Sequence, residues 1–253
     1  MAGYNAFALF YDELTSNIDY EKRASYFDVL IDKFGGKKGG ILLDLCCGTG
    51  SLSEEFYKLG YDVIATDASM QMLNAALDKK FDSGSTVQYL CQDMRKLDMF
   101  GTIDVTICAL DSLNHLPCVD DLESVFKRVH LFCEPGGLFI FDVNTVFKHK
   151  CILADNVFTY DMENVFCVWE NTYNDSEKRT DIVLNIFARD NDVYTRYNEN
   201  FSEYAYELDA ICSLLFKAGF VICAMYDYDS FNPVNENSEK VVFCCKKPLE
   251  SKC

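Results

Sequence analysis

The chain has 253 residues and a formal net charge of −17 at pH 7, from 23 Lys and Arg against 40 Asp and Glu. Hydrophobic residues make up 49% of it, so a chain of this length can bury a core without disulfides or a metal, and disordered, collagen-like and coiled-coil chains are excluded. The acidic balance argues against nucleic acid or an anionic membrane as a partner, because phosphate groups bind through Lys and Arg.

The thirteen cysteines are expected to be free thiols. The first residues, MAGYNAFALFYDEL, do not resemble a secretory signal, which predicts a cytoplasmic protein in which disulfides are rare. No C-x-x-C or H-E-x-x-H motif occurs and the three histidines are far apart, so no metal site is predicted. The apolar runs are shorter than the roughly 20 residues that a membrane-spanning helix needs, and no membrane association is expected.

Residues 1–36 have the apolar spacing of helices and end at Gly35-Gly36. After them, short apolar runs alternate with amphipathic stretches. The predicted strands are 41–46, 62–67, 86–91, 103–110 and 137–144, and the predicted helices are about 51–59, 69–80 and 119–133. Apolar strands separated by helices or crossover loops predict a parallel sheet that is covered on both faces.

The second half of the chain has a different pattern. Residues 157–204 alternate with period two, are rich in aromatics and are broken by two turns of Asn, Asp and Ser, which predicts an antiparallel meander. A helix at 206–218 and two further strands follow. We therefore expect an α/β domain made of residues 1–145 and 205–253, interrupted by an antiparallel β insert at 146–204.

The first predicted strand runs into a glycine-rich turn, Asp44-Leu45-Cys46-Cys47-Gly48-Thr49-Gly50, that precedes a helix. The glycines allow a sharp turn, and the helix N-terminus supplies free N–H groups. The second strand ends at Asp67, whose carboxylate can accept hydrogen bonds from both hydroxyls of a ribose. Turn and acid together predict an adenosine-containing cofactor. NAD remains open, although Ser53 stands where NAD sites usually carry a third glycine.

A further acid, Asp93, follows the third predicted strand. Its carboxylate could accept a hydrogen bond from an adenine amino group, with Met94 packed on the ring. The alternative is that Asp93 is a loop or helix-capping residue.

Five motifs occur in an order and at spacings that are typical of one enzyme family: D-L-C-C-G-T-G-S-L, T-D-A-S-x-x-M-L, Q-D-M, L-D-S-L-N-H-L and P-G-G-L-F-I-F-D-V-N. In these five motifs the chain resembles the class I S-adenosylmethionine-dependent methyltransferases. The opening Y-N-A-F-A-L-F-Y-D-E-L resembles a bacterial branch with an antiparallel insert before the last helix. The resemblance implies a doubly wound, mostly parallel seven-stranded sheet, with S-adenosylmethionine as cofactor.

The resemblance also implies where the cofactor is bound. The methionine part would lie at Asp44, Cys46, Gly48 and Gly50, the ribose at Asp67, and the adenine beside Ala68, Met72, Asp93 and Met94. Leu110 and Asp111 follow the fourth strand, where cofactor and acceptor meet, and Tyr11 would close over the cofactor. Cys46 departs from the family pattern, which usually has Gly or Ala at that position.

Candidate catalytic residues are Asp111 and His115, with Asn114 between them. A general base is needed only if the acceptor keeps a proton at neutral pH. His115 is a candidate base because an unperturbed imidazole titrates near physiological pH. The alternative is that His115 caps a helix or hydrogen-bonds a backbone carbonyl, as a histidine after a strand often does.

The insert carries the aromatics that could cover a substrate, together with two arginines: Tyr160, Phe166, Trp169, Tyr173, Phe187, Tyr194, Tyr197, Arg189 and Arg196. The alternative is that they pack the insert onto the domain or form a homodimer interface. The D/N-P-P-Y/F motif of many nucleic-acid methyltransferases is absent; the chain reads Leu110-Asp111-Ser112-Leu113. We therefore expect methyl transfer to a small molecule by in-line displacement. The alternatives are a cofactor-binding protein without activity and an NAD-dependent oxidoreductase.

Overall fold

A computed structural model describes residues 7–249. Its helices are α1 (Phe7–Leu14), α2 (Tyr20–Lys33), α3 (Ser51–Lys58), α4 (Met70–Ser83), α5 (Val119–Phe132) and α6 (Leu208–Ala218). Its strands are β1 (Ile41–Leu45), β2 (Asp62–Asp67), β3 (Gln88–Cys91), β4 (Ile103–Cys108), β5 (Cys133–Asn144), β6 (Val157–Asp161), β7 (Val165–Asn174), β8 (Arg179–Asp190), β9 (Val193–Tyr204), β10 (Val221–Asp227) and β11 (Lys240–Lys246). Short 3₁₀ turns lie at Met94–Lys96 and Ser112–His115, and a π-helical segment lies at Lys148–Leu153.

Seven strands form one sheet in the order β10-β11-β5-β4-β1-β2-β3. The last strand in the chain, β11, runs antiparallel to both of its neighbours, and the pairs among β1 to β5 are parallel. The chain leaves β1 toward β2 and β3 and then returns to β4 on the other side of β1. This reversal makes the carboxyl ends of β1 and β4 the switch point where open α/β sheets bind ligands.

Helices cover both faces of this sheet because its strands are apolar on both sides. In β5, Phe139 and Phe141 contact the layer formed by α5 and α6, whereas Leu138 and Ile140 contact the layer of α2 and α3. All four side chains are fully buried. The prediction of a mostly parallel, doubly covered sheet is confirmed.

The insert forms a separate antiparallel sheet in the order β6-β7-β8-β9. Ile182, Leu184 and Ile186, every second residue in the middle of β8, are buried in a core shared with Phe7 and Leu14 of α1. The insert therefore rests on the N-terminal helix, at the end of the sheet where β1 and β2 terminate.

The structure refines two of the sequence predictions. The helical region predicted at 1–36 contains two helices within the described residues, because the side chain of Asp19 accepts a hydrogen bond from Lys22 N and begins α2 there. The expectation for residues 1–6 lies outside the described residues. The strand predicted at 137–144 begins earlier, at Cys133.

No helix within residues 7–249 is long and apolar enough to cross a membrane. In the same range, no group of three or more His, Cys, Asp or Glu side chains is placed to hold a metal ion.

Candidate active site

A cavity of about 780 Å³ lies at the carboxyl ends of β1, β2 and β4. Its walls come from the glycine-rich turn, the segments after β2 and β4, helices α1 and α2, the insert and β11. It has two ends. After the roles that the sequence predicts for these residues, we call the part near the glycine-rich turn and Asp67 the cofactor end, and the part near Asp111 and Lys240 the acceptor end.

The backbone of the glycine-rich turn is left-handed at Cys46, Gly48 and Gly50, with φ of 65°, 55° and 76°. At Gly48 an added Cβ would meet nothing within 4 Å, and this residue lines the cavity. At Gly50 an added Cβ would collide with the Tyr89 hydroxyl and lie 2.9 Å from Ala76 Cβ. Gly48 thus leaves space for a ligand, whereas Gly50 allows the turn to pack on α4 and β3.

Asp67 ends β2 and faces the glycine-rich turn. Its carboxylate accepts hydrogen bonds from Gly48 N at 2.9 Å and from Ser69 N at 2.8 Å. Burial raises the pKa of Asp67, and these backbone hydrogen bonds act in the opposite direction. Asp67, Ala68 and Met72, for which the sequence predicts contacts to ribose and adenine, all line the cavity.

Asp44 lies at the bottom of the cofactor end, with 2% of its surface exposed. Ser53 Oγ donates a 2.5 Å hydrogen bond to its carboxylate. Burial raises the pKa of Asp44 to about 7, although the Ser53 hydrogen bond lowers it. Ser53, which the sequence pattern marks only as the absence of a third glycine, is therefore the residue that holds Asp44.

Two of the predicted cofactor residues lie outside the cavity lining, Gly50 and Asp93, and all the others line it. The Asp93 carboxylate accepts hydrogen bonds from Arg95 N and Nε, each at 2.9 Å. The Arg95 guanidinium lowers the pKa of Asp93 and also reaches Asp121 at 3.2 Å. The structure thus favours the capping role for Asp93, and of the two neighbours only Met94 lines the cavity. Cys46 lines the cavity too, with its thiol 3.5 Å from the Met94 sulfur.

Helix α1 closes the cofactor end. Phe7, Tyr11 and Leu14 line the cavity, and burial raises the pKa of Tyr11. The Asp12 carboxylate accepts hydrogen bonds from Thr49 Oγ1 at 2.6 Å and from Lys79 Nζ at 2.7 Å. These bonds attach α1 to the glycine-rich turn and to α4.

The segment after β4 is held in a strained conformation. Leu110 and Asp111 both have positive φ, 58° and 53°, which disfavours residues with side chains. Their backbone N–H groups donate to the fully buried carboxylate of Asp142 on β5, at 3.0 and 2.6 Å. Asp142 therefore fixes the turn that carries Asp111 into the cavity.

The Asp111 carboxylate is bound on both oxygens. Lys240 Nζ donates to one at 2.6 Å and Asn144 Nδ2 to the other at 2.8 Å. Burial would raise the pKa of Asp111, but the ammonium groups of Lys240 and Lys148 hold it well below its usual range. Asp111 is therefore an ionised carboxylate with a hydrogen bond to each of its oxygens.

His115 lines the cavity beside Asp111. Burial lowers the pKa of its imidazole, and the Asp111 charge opposes that shift. Its ring lies 5.6 Å from the ring of Phe201 on the insert. At neutral pH the imidazole is uncharged and can accept a proton.

Asn114, the third candidate in this segment, has a structural role. It is fully buried, and its Nδ2 donates to the carbonyls of Asn144 at 3.1 Å and Tyr204 at 2.9 Å. Asn114 thus joins β5 to the last strand of the insert and does not line the cavity.

Sequence reasoning missed several charged residues that line the acceptor end: Arg23, Lys148, Glu203 and Lys240. Burial and the nearby Asp111 charge raise the pKa of Glu203 to about 8, whereas Lys148 and Lys240 act to lower it. A lysine at the start of the apolar run KVVFCCK was the available signal for Lys240, which is 7% exposed. Nothing local in the sequence distinguishes the other three.

The insert contributes three aromatic side chains to the cavity lining: Tyr160, Trp169 and Phe201. The other predicted aromatics and both insert arginines lie outside it. Among them, Phe166 and Phe187 pair with each other at 6.4 Å, and Arg196 lies over Phe187 at 5.9 Å.

Comparisons with known proteins agree on one family. A model described as a methyltransferase domain matches residues 42–137. A solved S-adenosylmethionine-dependent methyltransferase of Clostridium acetobutylicum is 32% identical, over 97% of this chain and 99% of that chain, with a TM-score of 0.88. YqeM of Bacillus subtilis, a protein named as a methyltransferase, is 28% identical over 246 residues, 96% of this chain and 97% of that protein.

More distant structures share the fold. The amino pentose methyltransferase CalS10 of Micromonospora echinaspora, solved with S-adenosylmethionine bound, is 17% identical over 96% of this chain and 97% of that chain, with a TM-score of 0.76. The match that covers both chains almost completely, at 32% identity, identifies the family on its own. The chain belongs to the S-adenosylmethionine-dependent methyltransferases, and S-adenosylmethionine is its cofactor.

Proposed function

We propose that this methyltransferase transfers a methyl group to a small-molecule acceptor by in-line displacement. The observation that carries the proposal is the continuous cavity, which joins the turn around Gly48 and Asp67 to the charged acceptor end. Its volume of about 780 Å³ lies within the roughly 300–1,000 Å³ of small-molecule sites.

The residues of the cofactor end fit S-adenosylmethionine. The space beside Gly48 admits a ligand against the backbone, and the Asp67 carboxylate lies next to it, oriented by two backbone N–H groups. We assign the ribose hydroxyls to Asp67, the adenine side to Ala68, Met72 and Met94, and the methionine part to the turn at Asp44–Gly48. Bound there, S-adenosylmethionine supplies an electrophilic methyl group on a sulfonium.

The protein's part in such a displacement is to orient the acceptor and exclude water. The nucleophile must be held about 3–3.5 Å from the methyl carbon, in line with the bond that breaks. Helix α1 and the insert supply the cover, since Tyr11 and Trp169 both line the cavity. We therefore propose that the insert at 146–204 is a substrate cover on a cofactor-binding domain formed by 1–145 and 205–253.

We assign the two catalytic candidates different roles. His115 is neutral at pH 7 because burial lowers its pKa, so it is the base for an acceptor that keeps its proton. Asp111 is ionised and bound by Lys240 and Asn144, so it is a poor base. Its charge instead stabilises the imidazolium that His115 would become.

Transfer of a labelled methyl group tests the proposal. We expect label from methyl-labelled S-adenosylmethionine to enter small-molecule fractions of a cell extract with the wild type and to stay at background with Asp67→Ala. Asp62→Ala, an exposed acid at the start of the same strand, is the matched control and should retain transfer. Label found in protein or RNA, with none in the small-molecule fractions, would contradict the proposal.

A further inference from the structure

The acceptor end contains a buried guanidinium with unused donors. Arg23 of α2 lines the cavity, and its side chain is 11% exposed. Asp229 is the one carboxylate of residues 7–249 within 4.0 Å, and at 3.9 Å it is too far for a hydrogen bond. Arg23 Nε and Nη1 are buried and have no hydrogen-bond partner in the described part of the chain. Buried donors of a charged group are normally bonded, so their position suggests a ligand.

Tyr228 lies directly beside this guanidinium. Its ring centroid is 4.7 Å from Arg23 Cζ and 4.8 Å from Lys240 Nζ. The Tyr228 hydroxyl is also buried without a partner among residues 7–249, and the side chain lines the cavity. Three unpaired donors thus belong to two neighbouring side chains, Arg23 and Tyr228, which we call the Arg23–Tyr228 pair.

The two cations beside Tyr228, Lys240 and Arg23, differ in how closely carboxylates approach them. Lys240 has Asp111 at 2.6 Å and Asp142 at 3.4 Å, whereas Arg23 has only the distant contact to Asp229, whose side chain is 38% exposed. Asp227 and Glu239 line the same end of the cavity, but neither is within 4.0 Å of Arg23 in the described structure. Lys148 also lines this end, but its Nζ donates to Asn144 Oδ1 at 3.1 Å. Arg23 is therefore the cation here whose buried donors, Nε and Nη1, have no partner in the described structure.

We propose that the acceptor carries an anionic oxygen group, a carboxylate or a phosphate, which the Arg23–Tyr228 pair binds. Nη2 together with either Nε or Nη1 offers two parallel N–H donors that match two oxygens of such a group, and the tyrosine hydroxyl supplies a third hydrogen bond. Lys240 contacts both Tyr228 and Asp111. An acceptor anchored at Arg23 therefore extends toward the segment of Asp111 and His115, where transfer is proposed to occur.

This inference rests on the proposed function, because it describes the acceptor of the same cavity. Calorimetric titration of the protein saturated with S-adenosylhomocysteine tests it with three probes: benzoate, phenyl phosphate and the neutral benzamide. We expect at least one of the anions to bind the wild type about tenfold or more tighter than benzamide, as for a charge-assisted contact. Whichever anion binds more tightly identifies the group as carboxylate or phosphate.

Variants test whether the Arg23–Tyr228 pair causes the preference for anions over benzamide. Arg23→Gln should abolish the preference for anions, and Tyr228→Phe, which removes one oxygen atom, should reduce it about threefold to tenfold. Arg189→Gln, at an exposed arginine outside the cavity, should keep it. We expect the S-adenosylhomocysteine affinity of each variant to stay unchanged, because that ligand is assigned to the cofactor end. Much weaker binding by Arg23→Gln would mean that the pair binds the carboxylate of that ligand, and would overturn the inference.

Two further results would overturn the inference: equal binding of the anions and benzamide by the wild type, or an unchanged anion preference in both Arg23→Gln and Tyr228→Phe. Either result, together with labelled methyl transfer to small molecules, would leave the proposed function intact. Failure of that transfer would instead remove the proposed function.

Discussion

The two ends of the cavity are built in different ways. At the cofactor end, Gly48, Asp67 and Ser69 lie within about one βαβ unit, and backbone N–H groups orient the acid. At the acceptor end, Asp111 and Lys240 are 129 positions apart in the chain and are held by an ion pair. The cofactor end therefore depends on local backbone geometry, whereas the acceptor end depends on buried charges that must compensate one another.

The largest effect should come from removing a charge at the acceptor end. Lys240→Met would leave Asp111 and Asp142 buried without their cation, and we expect a loss of about 3–5 kcal/mol in the free energy of unfolding. Urea denaturation measures this loss. Lys37→Met is the control, because Lys37 pairs with Asp104 at 3.0 Å but is 68% exposed, and should lose less than about 1 kcal/mol. Equal losses would mean that burial does not distinguish the two pairs.

At the cofactor end the effect should appear in binding. Asp67→Ala removes the acceptor proposed for two ribose hydroxyls, so we expect about 100-fold weaker binding of S-adenosylhomocysteine. Calorimetry with Asp62→Ala as the control measures it, and that variant should stay within about twofold of the wild type. A similar affinity for Asp67→Ala and the wild type would show that Asp67 does not contact the ribose.

The pH dependence of methyl transfer tests whether His115, which lies beside Asp111, acts as the base. His115 acts as a base only when neutral, and burial lowers its pKa from 6.5. The wild-type kcat/KM should therefore be constant above pH 6.5 as far as His115 is concerned, and should fall by up to about tenfold per pH unit below its pKa.

The carboxyl group of Asp44 has a pKa of about 7 and therefore titrates in the same pH range. The informative quantity is the difference between the wild-type profile and that of His115→Gln. The variant should lack the acidic limb that belongs to the imidazole. Two parallel profiles would exclude His115 as the base.

The smallest effect concerns the helix that covers the cofactor end. Asp12→Ala removes the bonds from Thr49 and Lys79 that attach α1, and we expect S-adenosylhomocysteine to dissociate about fivefold faster, as for one exposed charged contact. Stopped-flow displacement measures the rate. Glu13→Ala, on the same helix but bonded to Asn164 N at 3.3 Å, should change it little. Equal rates for Asp12→Ala and the wild type would show that α1 does not retain the ligand.

Sequence reasoning located the strands, the insert and most of the residues around the glycine-rich turn that line the cavity, because these follow from apolar periodicity and from one turn motif. It placed Asp93 toward the adenine, whereas Arg95 two residues later takes its carboxylate. The sequence suggests Asn114 as a candidate near the reacting groups. In the structure its side-chain amide donates a hydrogen bond to the Tyr204 carbonyl of the insert, which is distant in the chain. Both differences come from partners that the motif itself does not contain.

By itself, the sequence determined the sheet, the antiparallel insert and the glycine-rich turn with its acid, since each depends on residues that are close along the chain. Only the tertiary structure decided which charges meet at the acceptor end. Arg23, Asp111, Lys148, Glu203 and Lys240 come from separate elements. Their pKa values and pairing depend on burial and on distances of a few ångströms, because electrostatic interactions in a desolvated cavity are set by spatial separation and not by spacing in the sequence.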